Sequence, residues 1–559
     1  QLRRRSKGQK RRGSRRRRDH KDYVFIMLKN RLPFILLLAV IAAALNLYTS
    51  LAKAFSSATL TQQERRGKQI YLKGISFSEQ PIKAFVGDAS MEVPGNTFPC
   101  ANCHGYDGQG RPEGGVIPSN ITWEYLTKSY DITHPGGRRH PAYTEGSIKR
   151  AIIEGIDPAG NRLAVAMPRY LMSHEDIADL VSYLKRLGKD LDPGLTETSI
   201  RVGTILPTKG PLAEAGQEMK AVMKAFFDEI NDQGGIYSRR VELQIIESES
   251  ALSGIRANVK HQVEDDKVFA IVGAFTGGAD KEISRLIEGE GIPLVGSFTF
   301  FPKEDFPLNR YIFYLFSGFK DQARVLVDYA SEKLKIQNPR IAIVYPESDN
   351  FIEVAGAIEE QSSKYGWGLV SRINYRPGGF EAAKVARVLH KAGADMVFFF
   401  GAGGDGIRLM READMINWTP HLFLAGQLAG KEILDAPSSF KGKIFLAYPT
   451  LPSDQTREGA MEYHSFLERH KLTSRHTAAQ LFVYSSAKIL VEGLKLAGKD
   501  LSREKLVAAI EGFYNFDTGL TPRITYGPNR RIGALGAYVV TIDPDKKELV
   551  PVSEWLVPK

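Results

Sequence analysis

A chain of 559 residues that uses cysteine only twice, three positions apart, and sets a histidine directly behind the second has few options at that point. The stretch runs from Pro99 to Gly105, "PCANCHG". Two cysteines so close together cannot staple a large fold, so a disulfide framework is excluded. Three chemistries remain: a redox dithiol, half of a zinc site, or the attachment of a haem. A zinc site needs four ligands, and there is no second cysteine pair to complete one. A thioredoxin-like dithiol calls for βαβ context, which the neighbouring residues lack. C-x-x-C-H is the attachment sequence for c-type haem. Cys100 and Cys103 would each add a thiol across a haem vinyl group, and His104 would fall under the iron as its proximal ligand. The expectation is one covalently attached haem c.

A second axial ligand should come from downstream. In "LAVAMPRYLMSHEDIADLVSYLKRLG", Met167 precedes Pro168 in a loop ahead of a helix. That helix starts at Ser173, an N-cap residue with Glu175 and Asp176 in the first turn. Its apolar stripe is Ile177, Leu180, Val181 and Leu184, the i, i+3, i+4, i+7 spacing of a packed helix. A Met-Pro loop hung on this helix would carry the thioether across the haem from His104, so Met167 is the expected ligand. Met172 is the nearest alternative and reads as a core filler. His134 and His140, in the loop "DITHPGGRRHPAY", would give bis-histidine ligation. His174 reads as a first-turn surface residue.

The formal charge of +11 suggests a nucleic-acid binder until it is mapped. Residues 1–31 hold 14 Lys/Arg against Asp19 and Asp22, a net +12, which leaves −1 for the rest of the chain. The basic character therefore belongs to one tail, and no nucleic-acid partner is expected. Met27 opens a short basic stretch, an apolar run of 16 residues from Leu32 to Leu47, and the triplet Ala52-Lys53-Ala54. This is the pattern of a secretory signal peptide cleaved before Phe55. The run falls short of the ~20 residues that span a bilayer comfortably. An exported, periplasmic protein follows, anchored to the inner membrane if the signal stays uncleaved.

Residues 55–190 resemble a class I c-type cytochrome domain. The resemblance rests on a first helix "QQERRGKQIYLKG", on "CANCHG" with "GQG" behind it, on "MPRY", and on the closing "DLVSYLKRL". It implies an all-α domain whose first and last helices cross, with Gly67 and Tyr183 at the crossing. The departure is an insert, "SEQPIKAFVGDASMEVPGNTF", ahead of the haem motif. That insert bears on the exposed haem edge and so on the electron partner.

After a polar connector at 191–199 the pattern changes. Short apolar runs such as "IRVGTILP", "FAIVGAF", "RIAIVYP", "MVFFFG" and "HLFLAG" alternate with amphipathic helices, the mark of βαβ units and parallel sheets. They are too many for one core, so two lobes are expected. Residues 200–559 resemble the type 1 periplasmic binding proteins of the branched-chain amino-acid family. "IRVGTILPTKGPLAEAGQEMKAVMKAFFDEINDQGGI" and "FAIVGAFTGGADKEISRLIEGEGIPLVGSFTFF" carry the likeness. It implies two Rossmann-like parallel sheets, one lobe near 200–317 and 448–522, the other near 318–447 and 523–559. Such proteins clamp a small polar ligand between the lobes.

Ligands of open α/β sheets bind beyond the carboxyl ends of the strands. Loops there offer Thr208, Thr276, Gly278, Ser297, Thr299, Tyr345, Phe351, Asp405 and Gln427. Helix-start amides beside Thr or Ser hydroxyls suit a carboxylate. Amino-acid binders of this family place a tyrosine after the strand that reads "MVFFF" here and an acid after "HLFLAG". This chain has Gly401 to Gly404 and Gln427 instead, with Asp405 as a substitute or a helix cap. "GAGGDG" is formally G-x-G-x-x-G, but the acid about 20 residues on is missing, which disfavours a dinucleotide. No nucleophile, base and orienter stand together, so no hydrolytic or transferase activity is expected.

The whole reads as a haem c-containing solute-binding protein for an amino-acid-like or carboxylate ligand. Its partners would be an ABC transporter permease and a redox protein. The alternative is an electron carrier for a periplasmic dehydrogenase, with the binding domain as sensor or docking module.

Overall fold

A computed structural model describes residues 60–78, 80–110, 112, 114–247, 252–304 and 306–559. The basic tail and the signal-like segment lie outside the described residues. The chain divides into two compact units, Gln1–Asp190 and Leu191–Lys559. Among the described residues no helix is long and apolar enough to cross a membrane.

In the first unit, helix Gln62–Lys73 opens on a capping box between Thr61 and Glu64 and stops at Gly74, left-handed at φ 63°. Helix His174–Leu184 opens on the equivalent box between Ser173 and Asp176. Its stripe of Ile177, Leu180, Val181 and Leu184 is buried. The two helices cross where Gly67 lies against the Asp179 carbonyl and Tyr183; a Cβ on Gly67 would sit 1.9 Å from that oxygen. Arg66 pairs with Asp179 at 2.5 Å beside the crossing.

The insert adds a sheet to the helices expected of this unit. Lys83–Val86 and Met91–Pro94 form an antiparallel hairpin, and Lys83–Val86 also pairs with Arg169–Leu171. The register Ala84 to Tyr170 places the hairpin directly on the strand that follows Met167. Burial alternates from Ile82 along the first strand of the hairpin, with Ile82 and Ala84 buried and Lys83 and Phe85 half-buried, the two-residue period of a strand and not of a helix.

The second unit holds two sheets. The first is all parallel, in the order Ile532–Ala534, Ile312–Phe316, Leu294–Val295, Ala270–Val272, Ser199–Leu206, Arg240–Glu247. The second runs Gly368–Tyr375, Arg340–Pro346, Met396–Phe399, His421–Ala425, Ile444–Tyr448, all parallel. Tyr538–Asp543 and Glu548–Pro551 extend it antiparallel, so this sheet is mixed rather than purely parallel.

Residues 523–534 were expected in the second lobe. They belong to the first, because Ile532–Ala534 pairs parallel with Ile312–Phe316 and the Tyr526 hydroxyl donates to the Tyr314 carbonyl at 3.0 Å. The chain crosses between lobes only after Ala534. The stretch 191–199 is likewise no free connector. Leu195 is buried, and Arg503 donates its backbone N–H to Asp192 at 2.7 Å and its guanidinium to the Pro193 carbonyl at 3.4 Å.

Candidate functional site

Cys100 and Cys103 stand on the short helix Cys100–His104. The chain on either side is pinned by two tyrosines. Tyr71 donates to the Gly105 carbonyl at 2.6 Å and Tyr170 to the Phe98 carbonyl at 2.6 Å. The helix forms one wall of a cavity of about 650 Å³. Both cysteines, His104 and Met167 line it, among apolar side chains such as Ile121, Leu126, Ile152, Leu180 and Leu184.

Burial pushes the Cys100 thiol up to about 12. A redox dithiol needs the opposite, a lowered thiol pKa, so this environment speaks against that chemistry. Burial holds His104 below the usual imidazole range, which keeps it neutral. Its Nδ1 lies 2.8 Å from the Ser119 carbonyl, so Nδ1 carries the hydrogen and Nε2 keeps its lone pair. That is the tautomer an iron ligand needs, fixed by a backbone acceptor.

The loop carrying Met167 is held by Arg169, whose guanidinium donates to the carbonyls of Met167 and of Leu163, the latter at 3.1 Å. Met172 packs on the hydrophobic core instead. His134 and His140 also line the cavity, yet their Nε2 atoms lie 2.9 Å apart, turned on one another. Two thiols, a preset imidazole and a thioether around one apolar cavity fit a c-type haem. Tyr71 belongs to the first helix that carries the cytochrome resemblance, whereas Ser119, Arg169 and Tyr170 have no role assigned from the sequence. Of these three, only Arg169 and Tyr170 carried a signal, in "MPRY".

In the second unit each sheet reverses its strand order once. The first does so between Ser199–Leu206 and Ala270–Val272, the second between Arg340–Pro346 and Met396–Phe399. Crevices form at such switch points. Loops there carry Thr208, Thr276 and Gly278 on one lobe; on the other, Tyr345 stands at a strand end and Phe351 and Asp405 in the first turns of the helices Asp349–Lys364 and Gly403–Met415. The two walls meet: Asn350 Nδ2 donates to the Gly278 carbonyl at 3.3 Å, and Lys303 pairs with Glu353 at 2.8 Å.

The chemistry of the walls departs from the expectation of hydroxyls awaiting a carboxylate. Thr276 donates to Asp280 Oδ1 at 2.9 Å and Thr299 to Asp280 Oδ2 at 2.7 Å. Asp280 is buried, which pushes its carboxyl up to about 6 against those two hydrogen bonds. Thr208 donates to Glu247 at 3.3 Å, and Ser297 lies 3.3 Å from the Thr276 hydroxyl. The Tyr345 hydroxyl accepts from Arg372 at 2.7 Å, while Asp405 accepts from Tyr375 at 3.2 Å and pairs with Arg408. Gln427 is exposed on the short helix Gly426–Ala429. Phe351 lies against Phe301, its ring centroid 5.3 Å away, and Phe319 stacks on Phe300 at 4.9 Å. The crevice is thus bordered by phenylalanines, and its hydroxyls are already engaged.

Two glycines of "GAGGDG" serve packing. A Cβ on Gly403 would sit 1.7 Å from the Ala429 carbonyl and one on Gly401 2.0 Å from the Tyr375 hydroxyl.

Residues 199–547 match the periplasmic binding protein family, and residues 97–188 match the cytochrome c family. A Leu/Ile/Val-binding protein homolog 3 of Brucella melitensis is 25% identical over 214 residues, 38% of this chain and 57% of that one. The match therefore spans little more than half of that relative. The Leu/Ile/Val-binding protein BraC3 of Rhizobium johnstonii is 23% identical over 60% of this chain and 89% of its own. Among solved structures, a branched-chain amino acid ABC transporter protein of Thermus thermophilus with bound valine superposes with a TM-score of 0.54. It is 16% identical, over 65% of this chain and 97% of that one. A fatty acid ABC transporter substrate-binding protein of Thermomonospora curvata gives 0.52 at 17% identity, over 66% and 94%. At such identities these structures establish the fold alone.

Proposed function

Because this chain belongs to the periplasmic binding protein family and carries a cytochrome c domain ahead of the binding fold, we propose that it is an exported solute-binding protein with one covalently held haem c. Cys100 and Cys103 would hold the haem through thioethers, and His104 Nε2 and the Met167 sulfur would ligate its iron. The bound haem supplies reversible one-electron transfer. The chain does the rest: the Ser119 carbonyl fixes the His104 tautomer, Arg169 holds the Met167 loop, and the apolar walls keep water from the iron. The observation that carries this reading is the single cavity around both thiols, the imidazole and the thioether.

The second unit binds a small solute between its lobes and hands it to an ABC transporter permease, while the haem serves a redox partner. The reading assigns no bond-breaking chemistry to either unit. The phenylalanines bordering the crevice, and hydroxyls already given to Asp280, support a ligand with an apolar body and one small polar group. The same engaged hydroxyls favour the second reading, in which the binding fold is a docking module on an electron carrier for a periplasmic dehydrogenase. Two measurements on the full chain, matured with haem, decide. Denaturing mass spectrometry without the added mass of one haem ends the cytochrome reading. Calorimetric titration with leucine, valine, phenylalanine and hexanoate tests the clamp, and heat from none of them favours the docking module.

A further inference from the structure

Two histidines on the haem cavity are left over by the ligand assignment. His134 and His140 line it with Arg138, and their Nε2 atoms are 2.9 Å apart. A contact that short between two ring nitrogens needs one hydrogen between them. Its direction follows from the outer nitrogens. His140 Nδ1 lies 2.8 Å from the Pro141 carbonyl and so carries a hydrogen. In the neutral ring His140 Nε2 is then bare, and His134 Nε2 donates to it. His134 Nδ1 is bare in turn and accepts from the Ser119 hydroxyl at 3.4 Å. The pair has room for one further proton, on His134 Nδ1, with the Ser119 hydroxyl turning from donor to acceptor. A second proton would place two hydrogens between the Nε2 atoms and break their bond. Ser119 is also the residue whose carbonyl holds His104.

We propose that the His134–His140 pair is a single-proton site coupled to the haem, so that oxidation of the iron releases a proton and reduction takes one up. This rests on the haem reading above. On oxidation one electron leaves the iron for a one-electron acceptor, and up to one proton leaves His134 Nδ1 for water; reduction reverses both. The driving force is repulsion between the proton and the extra positive charge of oxidised iron, screened in part by water because His134 is half-buried.

The neighbouring charges set the window. Arg138 pairs with Asp157 at 2.8 Å, Arg150 donates to the Asp157 carbonyl at 3.2 Å, and Arg139 pairs with Asp131 at 3.0 Å. The Tyr143 ring meets the His140 ring edge-on at 4.8 Å. Burial, then Arg138 and His140, hold His134 below the usual imidazole range, with Asp157 opposing them. The coupling therefore acts below pH ~6.5. The potential rises as pH falls through that window and is level above it.

The factor by which oxidation weakens proton binding equals the factor by which protonation favours reduction. A tenfold factor corresponds to about 59 mV for one electron. The test is a redox titration of the full haem-bearing chain from pH 4.5 to 8. The expected result is a rise of about that size on acidification, absent in His134→Gln and in His140→Asn, both retaining covalent haem and its sulfur-to-iron band. A second readout is direct: ferricyanide added to unbuffered reduced protein near pH 6 should release a fraction of a proton per haem. A level potential with no proton release overturns the proposal. So does a slope that persists in His134→Gln, which would assign the proton to the cofactor's own carboxylates. Absence of haem from the mature chain defeats the haem reading itself, and with it this one.

Discussion

Met167 owes its place to its neighbours as much as to the helix behind it. Arg169 clamps the loop carbonyls, and the insert hairpin pairs with the strand that carries Arg169. Met167→Ala should abolish the weak near-infrared sulfur-to-iron band of the oxidised protein, while Met172→Ala leaves it intact. The reverse pattern would transfer the ligand role to Met172. Asp157 shows a different kind of dependence. Burial alone would raise its carboxyl, but hydrogen bonds from Asn161 and Arg138 outweigh that and hold it below the usual range. A carboxylate lowered in the fold adds stability that is fully present above its unfolded value of ~3.9 and is lost as pH falls through the folded one. Acid unfolding of the first unit, followed by haem absorbance, should therefore steepen below pH ~4, and Asp157→Asn should remove that steepening.

The crossing of the first and last helices of this unit depends on the absence of one side chain. With Gly67 in contact with the Asp179 carbonyl and Tyr183, and the Tyr71 ring 5.6 Å from that of Tyr183, there is no room for a methyl group. Gly67→Val must push the helices apart or bend one, at a cost of about 3 kcal/mol, the upper part of the overpacking range. Thermal unfolding of the haem-bearing protein would report it, and an unchanged midpoint would refute the crossing. In the second unit the comparable device is Arg503. Its guanidinium donates to the carbonyls of Val268, Phe269 and Glu290 and also to Pro193. Arg503→Ala leaves several buried carbonyls without a donor and should lower the stability of the binding unit by about 3 kcal/mol, readable by denaturant titration.

Each unit has a core of its own, one around Tyr71, Leu180 and Tyr183, the others on the two faces of the sheet that contains Arg340–Pro346. The haem cavity takes up about 650 Å³ of the smaller unit. Left empty, its Ile and Leu walls would face water instead of the haem, a loss of apolar burial that weighs heavily against a domain's stability of roughly 5–15 kcal/mol. Cys100→Ala with Cys103→Ala, which cannot attach haem, should therefore remove the calorimetric transition of the first unit. That of the second should stay within a few degrees, because a sheet-based core of its own sustains it. A shift of both transitions together would mean the units share stability.

The local chemistry was legible in the order of the residues. C-x-x-C-H, the Met-Pro loop, the Ser173 cap and the alternation of strand and helix depend on neighbours a few positions away, and local spacing records such dependence directly. What folding alone decided depends on residues brought together from far along the chain. The insert at 81–94 braces a strand some eighty residues on, and residues 532–534 return to a sheet begun at 199, pairings that hydrogen-bond registers fix and composition does not. The hydroxyls at 276 and 299 read as donors for a ligand until the fold buried Asp280 between them. A hydroxyl's single hydrogen goes to the strongest acceptor within reach, and only the tertiary structure says which acceptor that is.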